Sequence, residues 1–112
     1  MITVKVFVDS NGRYRGFHVE GHSGYGAYGE DILCAAVSVL TQNTVNSIEA
    51  LTEDSMTCSV SDGCLDCRLP ESAGKESQLL MNAMMLGLES IEESYRTEEK
   101  ENQYISISTE EV

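Results

Sequence analysis

The chain has 112 residues, enough for one domain with a modest hydrophobic core. Its 19 acidic and 7 basic residues give a net charge of −12, which disfavours nucleic-acid and anionic-lipid binding and favours basic partners. The longest apolar run is too short to span a bilayer, and the start, MITVKVFVDS, lacks the apolar stretch of a signal peptide. We therefore expect a cytoplasmic protein, without a membrane partner, whose cysteines are free thiols.

The first predicted element is a β-hairpin with a two-residue turn at Asn11-Gly12. The predicted cross-strand pairs are Val8 with Arg15, Val6 with Phe17, and Val4 with Val19. Because side chains alternate along a strand, Lys5 and His18 fall on the opposite face. We interpret His18 as a solvent-side strand residue rather than a catalytic one.

A glycine-rich segment follows, and its Gly24-x-Gly26-x-x-Gly29 spacing is that of a dinucleotide-binding loop. The context does not fit, because the preceding strand closes an antiparallel hairpin and acidic residues occupy the start of the next helix. We predict instead a flexible substrate loop over residues 23–30. The loop and its approach contain Gly21, Ser23, Gly24, Tyr25, Gly26, Tyr28 and Gly29. Whether the two tyrosines contact a substrate or pack on the surface stays open.

A helix is predicted from Asp31 to about Leu51. Its apolar stripe consists of Leu33, Ala36, Val37, Leu40, Ile48 and Leu51. Cys34 then falls in the first turn, where unpaired backbone amides favour a thiolate and can hold an oxyanion. His22 is the histidine that the loop can deliver to Cys34, so the two form a candidate nucleophile–base dyad. A buried, inert Cys34 is the alternative.

A second hairpin is predicted at Asp62-Gly63, with one apolar face. Its predicted pairs are Val60 with Leu65, Cys58 with Cys67, and Met56 with Leu69. Cys64 and Cys67 form a CxxC pattern, but residues three apart on a strand point to opposite faces. Neither histidine is expected to complete a zinc site there. We therefore expect inert thiols at Cys58, Cys64 and Cys67, with no metal and no cofactor.

The last elements are a helix from about Gly74 to Arg96, with Ser72 as its N-cap, and a possible short strand from Tyr104 to Ser108. The inward residues of the helix are expected to be Leu80, Met84, Leu88, Ile91 and Tyr95, and Met81, Met84 and Met85 are interpreted as core filler. The order ββαββα(β) predicts an α+β fold, a two-layer sandwich in which two helices cover antiparallel hairpins. Residues 1–112 are expected to form a single domain with an acidic C-terminal segment, 97–112.

The segment Gly21-His22, a glycine-rich loop and Gly29-x-Asp31-Ile32-x-Cys34-Ala35 together resemble the ribosomal-processing cysteine protease family, Prp. The likeness extends to the opening hairpin, the helix with Ser38, and Ile91-Glu92-Glu93-x-Tyr95. The resemblance implies a cysteine endopeptidase that removes the N-terminal extension of a large-subunit ribosomal protein, after an aromatic-containing hydrophobic motif. It implies His22 and Cys34 as the catalytic pair, with Asp31 and Ser38 lining the site, and it points to a homodimer.

Two other functions stay open at this point. One is a noncatalytic acidic module that binds a basic ribosomal protein while Cys34 stays buried. The other is a thiol redox protein that uses Cys64 and Cys67. For Asp31, orienting His22 and capping the helix are equally compatible with its position.

Overall fold

Two helices and five strands make up the described part of the chain. A computed structural model describes the backbone of residues 1–21, 28–95 and 104–112, and their side chains except those of residues 28–31. The elements are β1 (Ile2–Val8), β2 (Tyr14–Glu20), α1 (Tyr28–Leu51), β3 (Thr57–Ser61), β4 (Cys64–Arg68), α2 (Lys75–Ser94) and β5 (Ile105–Glu111). This order confirms the predicted α+β fold.

The strands form one sheet in the order β3-β4-β2-β1-β5. The two hairpins are joined through an antiparallel pairing of β2 with β4, and β5 lies parallel to β1. One face, here called the inner face, buries side chains from the sheet and both helices in a single core. Members of that core are Val4, Val6, Phe17, Leu33, Val37, Ile48, Cys67, Met81, Met84 and Leu88. The outer face carries Lys5, His18 and Asp66, so the fold has the two layers that were predicted.

The first hairpin follows the predicted register at Val6–Phe17 and Val4–Val19. Val8 pairs with Tyr14 and not with Arg15, because the register shifts between Phe7 and Val8. The connection spans residues 9–13 rather than two residues, since the carboxylate of Asp9 accepts hydrogen bonds from the amides of Asn11 and Arg13 at 2.8 and 3.0 Å. The predicted two-residue turn is therefore wrong, although the inner-face assignment of the strands is right.

The second hairpin has the predicted pairs Val60–Leu65 and Cys58–Cys67. The prediction that both strands share a buried apolar face is wrong for β3, where Val60 is 77% exposed, because β3 lies at the edge of the sheet. The expectation of free thiols is also wrong for Cys58 and Cys67, which lie directly opposite each other and are joined by a disulfide. Cys34 and Cys64 are free.

Helix α1 begins at Tyr28, three residues before the predicted start at Asp31. Its buried face consists of Leu33, Val37, Thr41, Thr44 and Ile48. Ala36 and Leu51 are exposed, so the predicted stripe is wrong at these two positions. The threonines replace them on the buried face because their hydroxyls donate to carbonyl oxygens of the preceding turn, both at 2.9 Å, and so are satisfied when buried.

Helix α2 begins after Gly74 and not after the predicted cap Ser72. Among the described residues no side chain caps the first turn, but the carboxylate of Asp54 accepts from the Gly74 amide at 3.0 Å and the Ser77 hydroxyl at 2.6 Å. These donors hold the pKa of Asp54 below its usual value, the Ser77 hydroxyl having the largest effect. The expected core positions Met84 and Leu88 are buried, whereas Leu80, Ile91 and Tyr95 are half-buried and Met81 is fully buried.

The final strand lies within the acidic C-terminal segment. Strand β5 confirms the possible strand predicted at Tyr104–Ser108 and extends it to Glu111. Ile105 is 2% exposed and pairs with Ile2. Part of the acidic segment is thus built into the sheet. Neither helix of the described residues has the length and apolar character that crossing a bilayer requires.

Candidate active site

Cys34 lies in the second turn of α1, because the helix starts at Tyr28. Only the amides of a helix's first four residues lack an intrahelical acceptor. The prediction that places Cys34 in the first turn is therefore wrong, and its own amide lies beyond those unpaired donors. Tyr28 and Gly29, predicted to belong to the glycine loop, are instead the first residues of the helix.

A cavity of about 200 Å³ lies beside Cys34, between the first half of α1 and the ends of the strands. Ile2, Val19, Val37 and Leu65 give it an apolar lining. Ser38 and Gln42, one and two turns after Cys34 on the helix, add polar groups to the wall. The structure thus brings Cys34 and Ser38 together at one cavity. Sequence reasoning missed Gln42, although its spacing of eight residues from Cys34 places it on the same helix face.

Gly21 holds the chain at the mouth of this cavity. Its amide donates to the carbonyl oxygen of Gly63 at 3.0 Å, which ties the end of β2 to the β3–β4 turn. Its φ of 87° lies in the left-handed region, and a Cβ there would lie 2.3 Å from the carbonyl oxygen of Met1. Glycine is therefore required at this position, which lines the cavity together with Cys34.

The other predicted site residues lie where side chains are not described. His22, Ser23, Gly24, Tyr25 and Gly26 fall outside the described residues. The side chain of Asp31 also falls outside them, although its backbone is in α1. Their placement at the site stays a prediction.

A second polar cluster occupies the outer face of β2 and β4. His18 Nδ1 lies 2.8 Å from Asp66 Oδ2, and Asp66 Oδ1 accepts from Arg68 Nε at 2.8 Å. The bond to Asp66 raises the pKa of His18 against the effect of burial, and the neighbouring Glu20 adds to the rise. Arg68 has the largest part in lowering the pKa of Asp66. His18 is on the predicted, outer face, but it is held by two carboxylates, Asp66 and Glu20, rather than free in solvent.

Cys64 joins this cluster, with its Sγ 3.5 Å from His18 Nε2. Neither histidine was expected to be placed for a zinc site with the CxxC cysteines, whereas His18 does lie against Cys64. Cys64 and Cys67 do lie on opposite faces as predicted, and the bond from Cys67 to Cys58 leaves the redox interpretation without its cysteine pair. Sequence reasoning missed the contact because it depends on β2 pairing with β4, which local patterns do not specify.

Comparison with known proteins gives a family for this arrangement of fold and cavity. A sequence model described as "Cysteine protease Prp" matches residues 1–100. The chain belongs to the cysteine protease Prp family. A relative named "Ribosomal processing cysteine protease Prp", from Staphylococcus aureus (strain Mu50), is 34% identical over 97 residues, which are 85% of this chain and 92% of the relative. This result confirms the resemblance stated from the residues.

Two solved structures of Prp from S. aureus also match. One holds a substrate peptide and has a TM-score of 0.86 at 30% identity, covering 98% of this chain and 100% of that one. The other holds a covalently linked product peptide and has a TM-score of 0.83 at 31% identity, with the same coverage. The predicted enzyme class, a ribosomal-processing cysteine protease, is confirmed by these relatives.

Proposed function

We propose that this chain is a Prp endopeptidase that removes the N-terminal extension of a large-subunit ribosomal protein, with Cys34 as nucleophile and His22 as its base. One observation carries the proposal: Cys34 and Gly21 line a single cavity, and His22 follows Gly21 directly in the chain. Because the Gly63 carbonyl and the packing against Met1 fix Gly21, the segment that bears His22 starts at the mouth of the Cys34 cavity.

The proposed reaction proceeds in two steps. His22 takes the thiol proton, and the Cys34 thiolate attacks the scissile carbonyl carbon to form a tetrahedral intermediate. The intermediate expels the amine, which receives the proton from His22, and leaves a thioester on Cys34. His22 then takes a proton from water, whose oxygen attacks the thioester carbonyl carbon; the C–S bond breaks, the acid product leaves, and His22 returns the proton to the Cys34 sulfur. The covalently linked product peptide in a Prp structure from S. aureus is consistent with chemistry through an enzyme-bound intermediate.

The cavity and the charge of the chain fit this substrate. Pockets for drug-sized ligands measure about 300–1,000 Å³, so a cavity of about 200 Å³ suits a single side chain. Its lining by Ile2, Val19 and Leu65 favours an apolar group such as the one in the hydrophobic cleavage motif. The net charge of −12 attracts a basic ribosomal protein, and this attraction weakens with salt.

Other predicted residues have supporting roles in the proposal. Ser38 lines the cavity one turn from Cys34, where it can contact the substrate. Asp31 orients His22 or holds the start of α1, and the segment with Ser23, Tyr25 and the neighbouring glycines covers the bound peptide. These roles follow from the family resemblance and from position in the chain.

Cys64 and His18 form a cysteine–histidine contact within the described residues, but they fit protease chemistry less well. Both ring nitrogens of His18 already lie beside carboxylates, Asp66 at 2.8 Å and Glu20 at 3.2 Å. Cys64 also borders the cavity beside Cys34, but the Gly-His…Asp-x-x-Cys motif that resembles the family contains Cys34 and not Cys64. We therefore assign the nucleophile to Cys34.

A cleavage assay tests the assignment. The purified chain is incubated with a full-length basic ribosomal protein that carries its N-terminal extension, and mass spectrometry maps the new terminus. Cys34→Ala and His22→Ala are each expected to lower kcat/KM by about 10³-fold or more, as losses of a nucleophile or its base do. His18→Gln is the matched control and is expected to cut within a few-fold of the parent.

The opposite pattern would overturn the assignment. If Cys34→Ala cuts like the parent while His18→Gln is inactive, the nucleophile is Cys64. If the parent binds the substrate with no new terminus at any concentration, the chain is a binding module instead.

We also propose that residues 1–112 act as one protease domain in the cytoplasm and that the chain is a homodimer. Exposed apolar side chains on the helical layer support the dimer, with Val39 69% and Leu86 63% exposed. A shallow apolar depression of about 580 Å³ runs between the two helices beside Val39. Val39→Glu is expected to shift the mass measured by light scattering towards the monomer, whereas an unchanged mass would place the contact elsewhere.

A further inference from the structure

The outer face of the β2–β4 pair gathers three side chains of types that bind transition metals. Residues 18 and 20 share that face on β2, and the register places Glu20 opposite Cys64 and His18 opposite Asp66. Neighbours on adjacent strands, opposite or diagonal, lie within side-chain reach of each other. The imidazole, one carboxylate and the thiol therefore converge because of strand pairing rather than sequence spacing.

The distances between the three groups suit a tetrahedral ion. Zinc binds sulfur at about 2.3 Å and imidazole nitrogen at about 2.0–2.1 Å, so two such ligands lie about 3.5 Å apart in a tetrahedral site. Cys64 Sγ and His18 Nε2 are 3.5 Å apart, and His18 Nε2 and Glu20 Oε2 are 3.2 Å apart. All three ligand atoms lie within 4.8 Å of one another, and the Glu20 side chain, 58% exposed, is free to close the remaining gap.

The neighbouring residues orient the imidazole for such a role. His18 Nδ1 lies 2.8 Å from Asp66 Oδ2, so a proton on Nδ1 is held by the carboxylate and Nε2 is turned towards Cys64. Arg68 fixes Asp66 through two bonds, at 2.8 Å from Nε and 3.2 Å from Nη2. A histidine that donates its second nitrogen to a carboxylate is the usual arrangement around protein-bound zinc.

We propose that His18 Nε2, Glu20 and Cys64 Sγ form a binding site for a divalent transition metal, with Zn²⁺ the best fit, and that water fills the fourth position. Binding releases the thiol proton of Cys64 and any proton on Nε2. The negative charges of Glu20 and the thiolate offset those of the ion, while Arg68 is already paired with Asp66. The metal would clip β2 to β4 beside the Gly21–Gly63 contact.

Cobalt titration tests the site, because a thiolate bound to Co²⁺ gives a charge-transfer absorption band. The titration uses the full chain with Cys34→Ala and the Cys58–Cys67 disulfide intact, so that Cys64 is the remaining free thiol. The buffer is free of oxygen. We expect one equivalent of Co²⁺ to produce the band and Zn²⁺ to displace it. Cys64→Ser removes the band, and His18→Gln or Asp66→Asn weakens binding by about 10–100-fold.

Two comparisons keep the test decisive. Asp62→Asn, an acid in the same depression that is not a proposed ligand, is expected to bind Co²⁺ like the parent, whereas Glu20→Gln is expected to bind it more weakly. In the parent alone, Zn²⁺ is expected to slow alkylation of Cys64 by iodoacetamide at least tenfold, a measurement that needs no folded variant. The proposal is overturned by a missing band, a band that survives Cys64→Ser, equal losses in Asp62→Asn and Glu20→Gln, or alkylation that Zn²⁺ leaves unchanged.

Discussion

The two faces of the β2–β4 pair are built from alternate residues of the same strands, yet their side chains are held by different interactions. On the inner face, Phe17 and Cys67 are fully buried against the helices. On the outer face, their chain neighbours His18 and Asp66 keep about a quarter of their side-chain surface exposed, at 23% and 26%, and bind each other. One face is ordered by packing and the other by hydrogen bonds.

The two faces differ in what surrounds their cysteine: hydrogen-bonded charged groups on the outer face and a cavity on the inner side. The outer face has the more complete chain of charged contacts, from Arg68 through Asp66 to His18, and a thiol at its end. The inner side has the cavity beside Cys34, where apolar walls can hold a side chain and exclude water. A cysteine protease needs a bound peptide at its nucleophile, and because both free thiols border this cavity, the assignment to Cys34 comes from the Gly-His…Asp-x-x-Cys motif of the family.

The largest effect that this comparison predicts concerns Phe17 and His18, which are adjacent in the chain. Phe17→Ala is expected to lower the free energy of unfolding by about 3–5 kcal/mol, because the site is fully buried and a cavity replaces the ring. His18→Ala is expected to cost about 1 kcal/mol or less. Urea unfolding followed by circular dichroism measures both, and equal losses would mean that the two faces do not differ in this way.

Val19 sharpens the comparison within the inner face, because it lines the Cys34 cavity. Val19→Asp puts a charge where an apolar substrate group is proposed to bind. We expect it to lose about 1–3 kcal/mol of transition-state stabilisation, measured as a lower kcat/KM that comes mainly from a higher KM. Leu51→Asp is the matched control, since Leu51 is 72% exposed at the far end of α1. If both variants lose activity alike, the cavity is not the substrate site.

Much of the fold could be predicted from local patterns. Alternation predicted the inner and outer residues of β1, β2 and β4, because a strand's side chains have a period of two, but it did not predict that the edge strand β3 is exposed. The turn at Asn11-Gly12 was misread because the carboxylate of Asp9, two and four residues away from the amides it binds, builds a longer connection. The start of α2 at about Gly74 was predicted correctly, but the predicted cap Ser72 is not used, because Asp54, from a distant part of the chain, holds the Gly74 amide instead.

The candidate site was predictable only in part. Cys34 and Ser38 share a helix face, and helical spacing is enough to predict that. The Cys64–His18 contact joins residues 46 positions apart through the β2–β4 pairing, and nothing in either hairpin specifies that partner. The disulfide was missed for a different reason: the predicted register placed Cys58 opposite Cys67, but the assumed reducing compartment argued against a bond.

Two glycines with similar positive φ values test whether Gly21 positions the inner site. Gly12 and Gly21 have φ of 78° and 87°, but a Cβ on Gly12 meets nothing within 4 Å, whereas one on Gly21 would overlap the Met1 carbonyl. Alanine in the left-handed region costs about 1–2 kcal/mol, so Gly12→Ala should lower the free energy of unfolding by that amount. Gly21→Ala should lower it by more, because of the added overlap with the Met1 carbonyl. Only Gly21→Ala is expected to lower kcat/KM, and normal activity in that variant would contradict the positioning role.

The smallest expected effect is the pH dependence of the outer face. The folded-state pKa of His18 is raised, chiefly by its bond to Asp66, so the pair stabilises the fold below the unfolded-state pKa of about 6.5 and loses that contribution as pH rises through the raised value. Glu20 adds to the rise of the pKa, whereas burial of the imidazole opposes it. The loss of unfolding free energy caused by His18→Gln should therefore be larger at about pH 5.5 than at about pH 9, by roughly 0.2–1 kcal/mol. Urea unfolding of the variant and the parent at each pH measures it. High salt should shrink that difference, because both partners are partly exposed. A difference that is absent at low salt, or that has the opposite sign, would show that the hydrogen bonds of the outer face do not stabilise the fold.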